Sequence, residues 1–402
     1  MENQDKIDEF LTRGIERIYP SKEFLRERLQ SGQKLIIYYG IDPTGPTLHL
    51  GHTVPLLKLA QLQKLGHKVI LLIGDFTAQI GDPTDKMATR VLLSKKQVLK
   101  NARAYKKLAS SVLAFGGGNP AKLKYNSTWL NKLSMTDTAK LLSYITYAQT
   151  IKRDMFQRRI AEGKDLYVNE FLYPVLQGYD SVAMDVDGEV GGNDQTFNML
   201  MGRDLLKRIK NKEKFVIATK LLVDTFGKKM AKTEGKMVSL EEAPDEMFGK
   251  IMSWPDGMIL QAFELCTVVP LSQIAEIKTK LESGANPRDE KLHLAEAVVS
   301  MYNGDRVARK AKENFLKTFS EGKIPEDTKE FKTVSGVLLS DCLASAGLVA
   351  SKSEWRRLVG ENAVSVVSPD GTLTKILDFN FKIDAPAVFK IGKHRFLKIS
   401  VN

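Results

Sequence analysis

Cysteine is nearly missing from this chain: 402 residues carry only Cys266 and Cys342. They lie far apart, with no cysteine or histidine at ligand spacing beside either, which excludes a disulfide framework and a zinc knuckle. Long apolar runs are missing as well. The most apolar stretch, Val69 to Ile73, is far shorter than the roughly 20 residues a membrane helix needs, so it is predicted to be a buried strand and no membrane is expected as a partner. Met1 to Lys6 is polar, with no apolar stretch behind a basic start, and no secretory signal is expected. A reducing compartment, the cytoplasm, is the expected location. Acidic residues are also in deficit, 48 against 60 Lys and Arg, for a net charge of +12. That excess suits a polyanionic partner, nucleic acid first, and equally suits a plain solvated basic surface.

What is present is the balance of a globular protein, 43% hydrophobic and 27% charged, long enough for two to four domains with cores of their own. Ile7, Phe10, Leu11, Ile15 and Ile18 recur at helical spacing and predict an amphipathic helix within the first 30 or so residues. Leu35 to Tyr39 reads as a strand, followed by a Pro- and Gly-rich loop to Gly51. A helix with Leu56, Leu57, Leu59, Ala60 and Leu62 comes next, closed by Gly66, and then the strand Val69 to Ile73. Strand, loop, helix and strand make a βαβ unit, which predicts a parallel sheet.

The remainder changes character along its length. The stretch from about 95 to 165 is helix-patterned and reads as inserted, and the nucleotide-type architecture resumes at Gly191-Gly192. Residues from about 240 to 320 are again helical, with no convincing strand. From Ser351 to Asn402, Ser351 and Glu354 form a capping box, and two hairpins are expected, 363–367 with 373–377 and 387–391 with 395–399. This tail holds nine Lys or Arg against five Asp or Glu, a surplus of four. The fold class expected is α/β: a Rossmann-type parallel-sheet catalytic domain with a helical insertion, then an all-α domain and a small α+β domain. The boundaries read as 1–238 with the insertion at about 110–165, 239–324, a linker at 325–335, and 336–402.

Two motifs carry chemistry. His49-Leu50-Gly51-His52 stands where the loop after the first strand becomes a helix, so backbone N–H groups and the helix dipole face the carboxyl edge of the sheet. Both imidazoles can donate to phosphate oxygens, and Gly51 leaves room for a base or ribose. A metal pair and two surface histidines are the rival readings. Only three other histidines exist and none is nearby in sequence, so no metal site is assigned. The second motif, Gly227-Lys228-Lys229-Met230-Ala231-Lys232-Thr233-Glu234-Gly235, is by itself either a solvated lysine loop or a charge-neutralising one. Paired with the first motif it suits the charge on a departing pyrophosphate.

These motifs resemble the two signatures of class I aminoacyl-tRNA synthetases. The chain is most similar to their bacterial-type tyrosyl branch, through Tyr38 to Thr44, Gly81-Asp82-Pro83-Thr84, Tyr173 to Asp180, Gly191 to Gln195, and Asn286 to Asp289. The resemblance covers most of the chain and implies an S4-like RNA-binding tail and an anticodon-binding-type helical domain. It implies L-tyrosine, ATP with Mg2+ as MgATP, and tRNA(Tyr) as partners, with no DNA and no protein-bound metal, and a homodimer joined through the insertion. By the same resemblance, Thr44, His49, His52, Lys229 and Lys232 are catalytic. Gly40, Asp42, Gly51, Gly192, Asp194, Lys232 and Thr233 meet ATP, with Asp194 at its ribose. Tyr38 and Asp180 can supply a hydroxyl and a carboxylate to a phenol. Asp82, Tyr173 and Gln177 are expected at the substrate ammonium and Gln195 at its carboxylate. Taken alone, Tyr173, Gln177 and Asp180 read first as a polar helix face at i, i+4 and i+7 spacing, and only the resemblance overturns that. Ala231 and Thr233 replace serines of the second signature. Glu189 stands where some relatives have glutamine, and no role is assigned to it.

Overall fold

The computed structural model describes residues 2–82, 93–151, 153–225, 227, 237–320, 328–368, 372–392 and 395–401. Two compact units emerge, one of 1–242 with 254–294 and one of 243–253 with 295–402. The helical stretch 239–324 contributes to both.

In the first unit six strands form one sheet: β1 (Ile15–Tyr19), β2 (Ile36–Ile41), β3 (Lys68–Ile73), β4 (Lys122–Tyr125), β5 (Gly188–Gly192) and β6 (Phe215–Thr219). Their order is β1-β6-β5-β2-β3-β4, parallel throughout except for β1, which runs antiparallel to β6. The expected βαβ unit is there, with the helix Leu50–Lys64 crossing from β2 to β3. From β2 the chain moves outward to β3 and β4, then returns to place β5 on the other side. The gap between the carboxyl ends of β2 and β5 is therefore the switch point where α/β sheets bind ligands. Both faces of the sheet are buried. Alternation sends Ile37, Tyr39 and Ile41 into the core with Leu56, Leu59 and Leu71, and sends Tyr38 to the opposite face with Ile70, Leu72, Met184 and Val186.

Three sequence expectations need correction. The first 30 residues are not one helical pattern: helices Glu2–Phe10 and Lys22–Gln30 flank the strand β1. Gly14, at φ +63°, ends the first helical segment, and Ile15 and Ile18 reach the core as strand residues paired with β6. Helical spacing cannot reveal a pairing with a strand two hundred residues later. The inserted stretch is not wholly helical either, since β4 lies within it as an edge strand whose lysines suit an exposed sheet border. Finally, the segment read as a linker contains β7 (Glu330–Thr333), whose Phe331 packs on the carboxyl-terminal core.

In the rest of that tail the two hairpins follow expectation, whereas the capping box is only half formed, since the Glu354 carboxylate accepts from Ala350 N and not from Ser351 N. After β7 come β8 (Val337–Leu338), β9 (Val364–Val367), β10 (Leu373–Lys375), β11 (Lys382–Ile383), β12 (Ala387–Ile391) and β13 (Arg395–Val401). Both hairpins form, and the main sheet has the order β10-β9-β12-β13-β7. Helix Lys352–Gly360 is capped by the Ser351 side chain and buries Trp355 and Leu358 with Phe389 and Leu397. Between 244 and 320 the described elements are helices, as expected.

Candidate active site

The loop after β2 turns into the helix Leu50–Lys64 through its two histidines. His49 Nδ1 accepts from Gly51 N at 3.1 Å, His52 Nδ1 accepts from His49 N at 3.2 Å, and the ring centroids lie 3.6 Å apart. Two imidazoles thus form the capping box usually made by Ser and Glu. Because each Nδ1 is the acceptor, a neutral ring carries its proton on Nε2, which is then the donor atom of each imidazole. A Cβ on Gly51 would stand 3.0 Å from the His49 ring, so any side chain there would crowd the folded-back ring. Upstream, Asn101 Nδ2 donates to Pro43 O at 2.9 Å and Tyr105 Oη to Gly45 O at 2.8 Å, which anchors the chain on either side of Thr44.

Lys229, Lys232 and Thr233 lie outside the described residues. The chain beyond them does not, and it returns to the first motif. Leu50 N donates to Val238 O at 3.0 Å, Leu240 N to Leu48 O at 2.9 Å, and Thr47 Oγ1 meets Ser239 Oγ at 2.8 Å. His49 and Ser239 form an antiparallel bridge.

At the carboxyl edge of the sheet, buried polar groups form a connected chain. Tyr173 Oη donates to Asp42 Oδ2 at 2.8 Å, and Thr77 Oγ1 donates to Asp42 Oδ1 at 2.7 Å. Asn126 Nδ2 reaches Thr77 Oγ1 at 3.0 Å and Asp180 Oδ2 at 3.3 Å, while Trp129 Nε1 donates to Asp180 Oδ1 at 2.7 Å. Asp180 is 2% exposed, and burial pushes its carboxyl pKa well up against the lowering effect of Trp129 and Asn126. Tyr38, 1% exposed, meets Ser181 Oγ at 3.0 Å. Burial, then the charges of Glu189 and Asp180, raise its phenol pKa and keep it neutral.

A second cluster joins Asp82 and Gln195. Gln195 Nε2 donates to Asp82 Oδ2 at 2.7 Å, and Asn198 Nδ2 donates to Gln195 Oε1 at 2.8 Å. The charge of Asp82 also acts on the buried Tyr173 phenol, whose pKa is raised first by burial and next by Asp42. Gln177 Nε2 donates to Glu189 Oε1 at 3.4 Å, and Gln177 Oε1 is buried with no hydrogen-bond partner among the described residues. Gly192 closes β5 and precedes the turn Asn193–Gln195, of which Asp194 is the middle residue.

A family model described as class I tRNA synthetases (W and Y) matches residues 30–320. Tyrosine--tRNA ligase of Carboxydothermus hydrogenoformans is 44% identical over 407 residues, covering 97% of each chain, and Tyrosine--tRNA ligase 2 of Vibrio parahaemolyticus is 41% identical with the same coverage. The chain belongs to the tyrosyl-tRNA synthetase family. Among solved structures, a truncated mitochondrial tyrosyl-tRNA synthetase of Aspergillus nidulans superposes with a TM-score of 0.67 at 22% identity, over 78% of this chain and 94% of that one. The Archaeoglobus fulgidus enzyme, solved with L-tyrosine, gives 0.60 at 24% identity, over 78% and 100%. These likenesses carry the fold.

In this synthetase the single helix Val168–Met184 presents Tyr173, Gln177, Asp180 and Ser181 near the sheet edge. With Tyr173 at 5% and Asp180 at 2% exposure, a solvated polar face is excluded. The structure brings Asp42 to Tyr173 and Asp82 to Gln195, whereas Tyr38 and Asp180 are held by different neighbours. Sequence reasoning missed Thr77, Asn126 and Trp129. Asn126 and Trp129 follow β4 directly, and recognising that strand would have placed them at the carboxyl edge.

Proposed function

We infer that the chain is a tyrosine–tRNA ligase, which activates L-tyrosine with ATP to tyrosyl-adenylate and transfers the tyrosyl group to the 3′ end of tRNA(Tyr). The observation that carries this reading is a neutral phenol, Tyr38, and a buried carboxyl, Asp180, on the sheet face beneath the switch point. An apolar side chain would leave unused the hydrogen-bonding capacity that Trp129, Asn126 and Ser181 do not fill, whereas a substrate hydroxyl can both donate to and accept from these groups. Asp82, Tyr173 and the unpartnered Gln177 oxygen suit the substrate ammonium, and Gln195 its carboxylate.

Gly40, Asp42, Gly51, Gly192 and Asp194 line the nucleotide side in this reading, with Thr44, His49 and His52 at the phosphates. A tyrosine carboxylate oxygen attacks the α-phosphorus, the new P–O bond forms, and pyrophosphate departs with the electrons of the bond that breaks. Charge on that leaving group is met by the imidazole Nε2–H groups and by Lys229 and Lys232, with Thr233 beside them, and Mg2+ arrives with ATP. A ribose hydroxyl of tRNA then attacks the adenylate carbonyl and AMP leaves. Catalysis is positioning and charge stabilisation, with no covalent enzyme intermediate.

The domains in this reading are 1–238 catalytic, 239–324 anticodon-type and an S4-like tail that takes in β7 and so runs from 328 to 402, acting in the cytoplasm. Exposed Met135, Tyr147, Tyr167 and Val168, at 86%, 71%, 64% and 87%, support a homodimer through the insertion. Pyrophosphate exchange with tyrosine, phenylalanine and tryptophan tests the function: exchange with tyrosine alone is expected, and preference for tryptophan overturns it.

A further inference from the structure

Helix Val168–Met184, β5 and the residue preceding β6 converge on a buried ion pair that none of these roles uses. Lys214 Nζ is fully buried, paired with Glu189 Oε2, 2.8 Å from Ser181 Oγ, and 5.7 Å from the centre of the Tyr38 ring. Glu189 Oε1 accepts from Gln177 Nε2 at 3.4 Å, and Ser181 Oγ meets Tyr38 Oη at 3.0 Å. The pair therefore reaches one proposed reader at each end of the tyrosine, through Gln177 at the ammonium and through Ser181 at the phenol.

Packing alone does not explain it, because an apolar pair of similar volume would fill the space at no desolvation cost. Donor and acceptor chemistry does. A carboxylate only accepts, so Gln177 turns its Nε2 to Glu189 and its Oε1 away, and that oxygen is the buried, unpartnered atom. An oxygen there attracts a substrate ammonium, and an amide NH2 would repel it. An ammonium only donates, so Lys214 occupies a lone pair of Ser181 Oγ and leaves that hydroxyl one proton and one lone pair for Tyr38. Glycine at 202 makes the room, since a Cβ there would stand 2.8 Å from both Lys214 Nζ and Ser181 Oγ.

We propose that Glu189 and Lys214 are a positioning pair that sets the hydrogen-bond polarity of the tyrosine pocket at both ends, turning the Gln177 oxygen toward the ammonium and steadying the Tyr38 hydroxyl through Ser181. The proposal rests on the tyrosine reading of the same pocket.

Pyrophosphate exchange on the full chain tests it with Glu189→Gln, Ser181→Ala, Tyr38→Phe and the double variant Ser181→Ala/Tyr38→Phe. In Glu189→Gln a new amide can donate to Gln177 Oε1 and release the enforced orientation. KM for tyrosine is expected to rise about tenfold, the worth of one hydrogen bond, with kcat held within about twofold. Ser181→Ala is expected to lower the tyrosine-to-phenylalanine ratio of kcat/KM by about tenfold, and to add nothing once Tyr38 is already Phe. Should the charge left on Lys214 prevent Glu189→Gln from folding, the Ser181 and Tyr38 cycle, which keeps the ion pair, decides alone. An unchanged KM in folded Glu189→Gln, or losses that add in full across the cycle, overturns the proposal. If the wild type itself fails to prefer tyrosine, it is the tyrosine reading that falls; if the wild type prefers tyrosine and the variants match it, only the positioning role falls.

Discussion

Trp129 Nε1 donates to Asp180 Oδ1 at 2.7 Å, tying the short helix Ser127–Leu130 after β4 to the long helix Val168–Met184. The other carboxylate oxygen has the longer bond from Asn126, 3.3 Å, so the indole is the stronger restraint on where Asp180 points. Trp129→Phe keeps most of the ring and removes the donor. Its kcat/KM for tyrosine in pyrophosphate exchange should fall by about tenfold, with a smaller fall for phenylalanine. Equal falls for both substrates would mean that the bond shapes the pocket without orienting the phenol reader.

Asp180 also makes a prediction about stability. Its native carboxyl pKa is raised well above 3.8, so the folded chain holds that proton more tightly than the unfolded chain does. Ionising it costs stability, which begins to be lost as pH rises above 3.8 and is fully lost once pH passes the raised native value. Asp180→Asn removes this ionisation. Near neutral pH the variant should melt at or above the wild-type temperature, and the two should converge as pH falls toward about 4. Its tyrosine selectivity should nevertheless fall further than that of Tyr38→Phe, since an amide can turn its donor to the phenol. Thermal melts from neutral to acid pH check the first part; a variant that melts below the wild type at neutral pH contradicts it.

The first motif is tied through Leu50 to Val238, in the chain that follows the second motif, and the two motifs should share a kinetic phenotype. Lys232→Ala and His52→Ala should each slow adenylate formation by about a hundredfold or more, the scale of losing one charge-stabilising donor. Tyrosine affinity should change by less than about threefold in both. Rapid-quench measurement of adenylate, with equilibrium binding of tyrosine alongside, separates the two effects. Weakened tyrosine binding at an unchanged rate would remove both residues from the phosphates.

Pairing of β7 with β13 dictates where the tail can be removed. A cut at 336 would leave β7 as an unpaired edge, so the informative deletion is 328–402. It should preserve pyrophosphate exchange, abolish or strongly weaken tRNA charging, and make the salt dependence of tRNA binding shallower, because phosphate contacts are lost. Filter binding across a salt series checks the slope, and normal charging by the deleted protein would show that the tail is not the RNA-binding element.

Residue chemistry at strand ends was legible in the sequence. The βαβ unit follows from local alternation and periodicity, and His49 to His52, Tyr38 and Asp180 stand at positions where neighbouring residues already specify the loop or helix that carries them. The capping by two histidine Nδ1 atoms was not legible, because ring orientation depends on the helix entrance being formed. Nor were β1, β4 and β7: each is five residues or fewer, too short for a period to declare itself, and each gains its hydrogen bonds from a strand distant in sequence, or in the case of β4 from a strand across an intervening segment. Asn126 and Trp129 stayed hidden along with β4. Glu189 and Lys214 are the extreme case. In the sequence they are two ordinary charged residues 25 positions apart, and only adjacent parallel strands, which bury both from water, turn them into a pair that must satisfy each other and everything within reach.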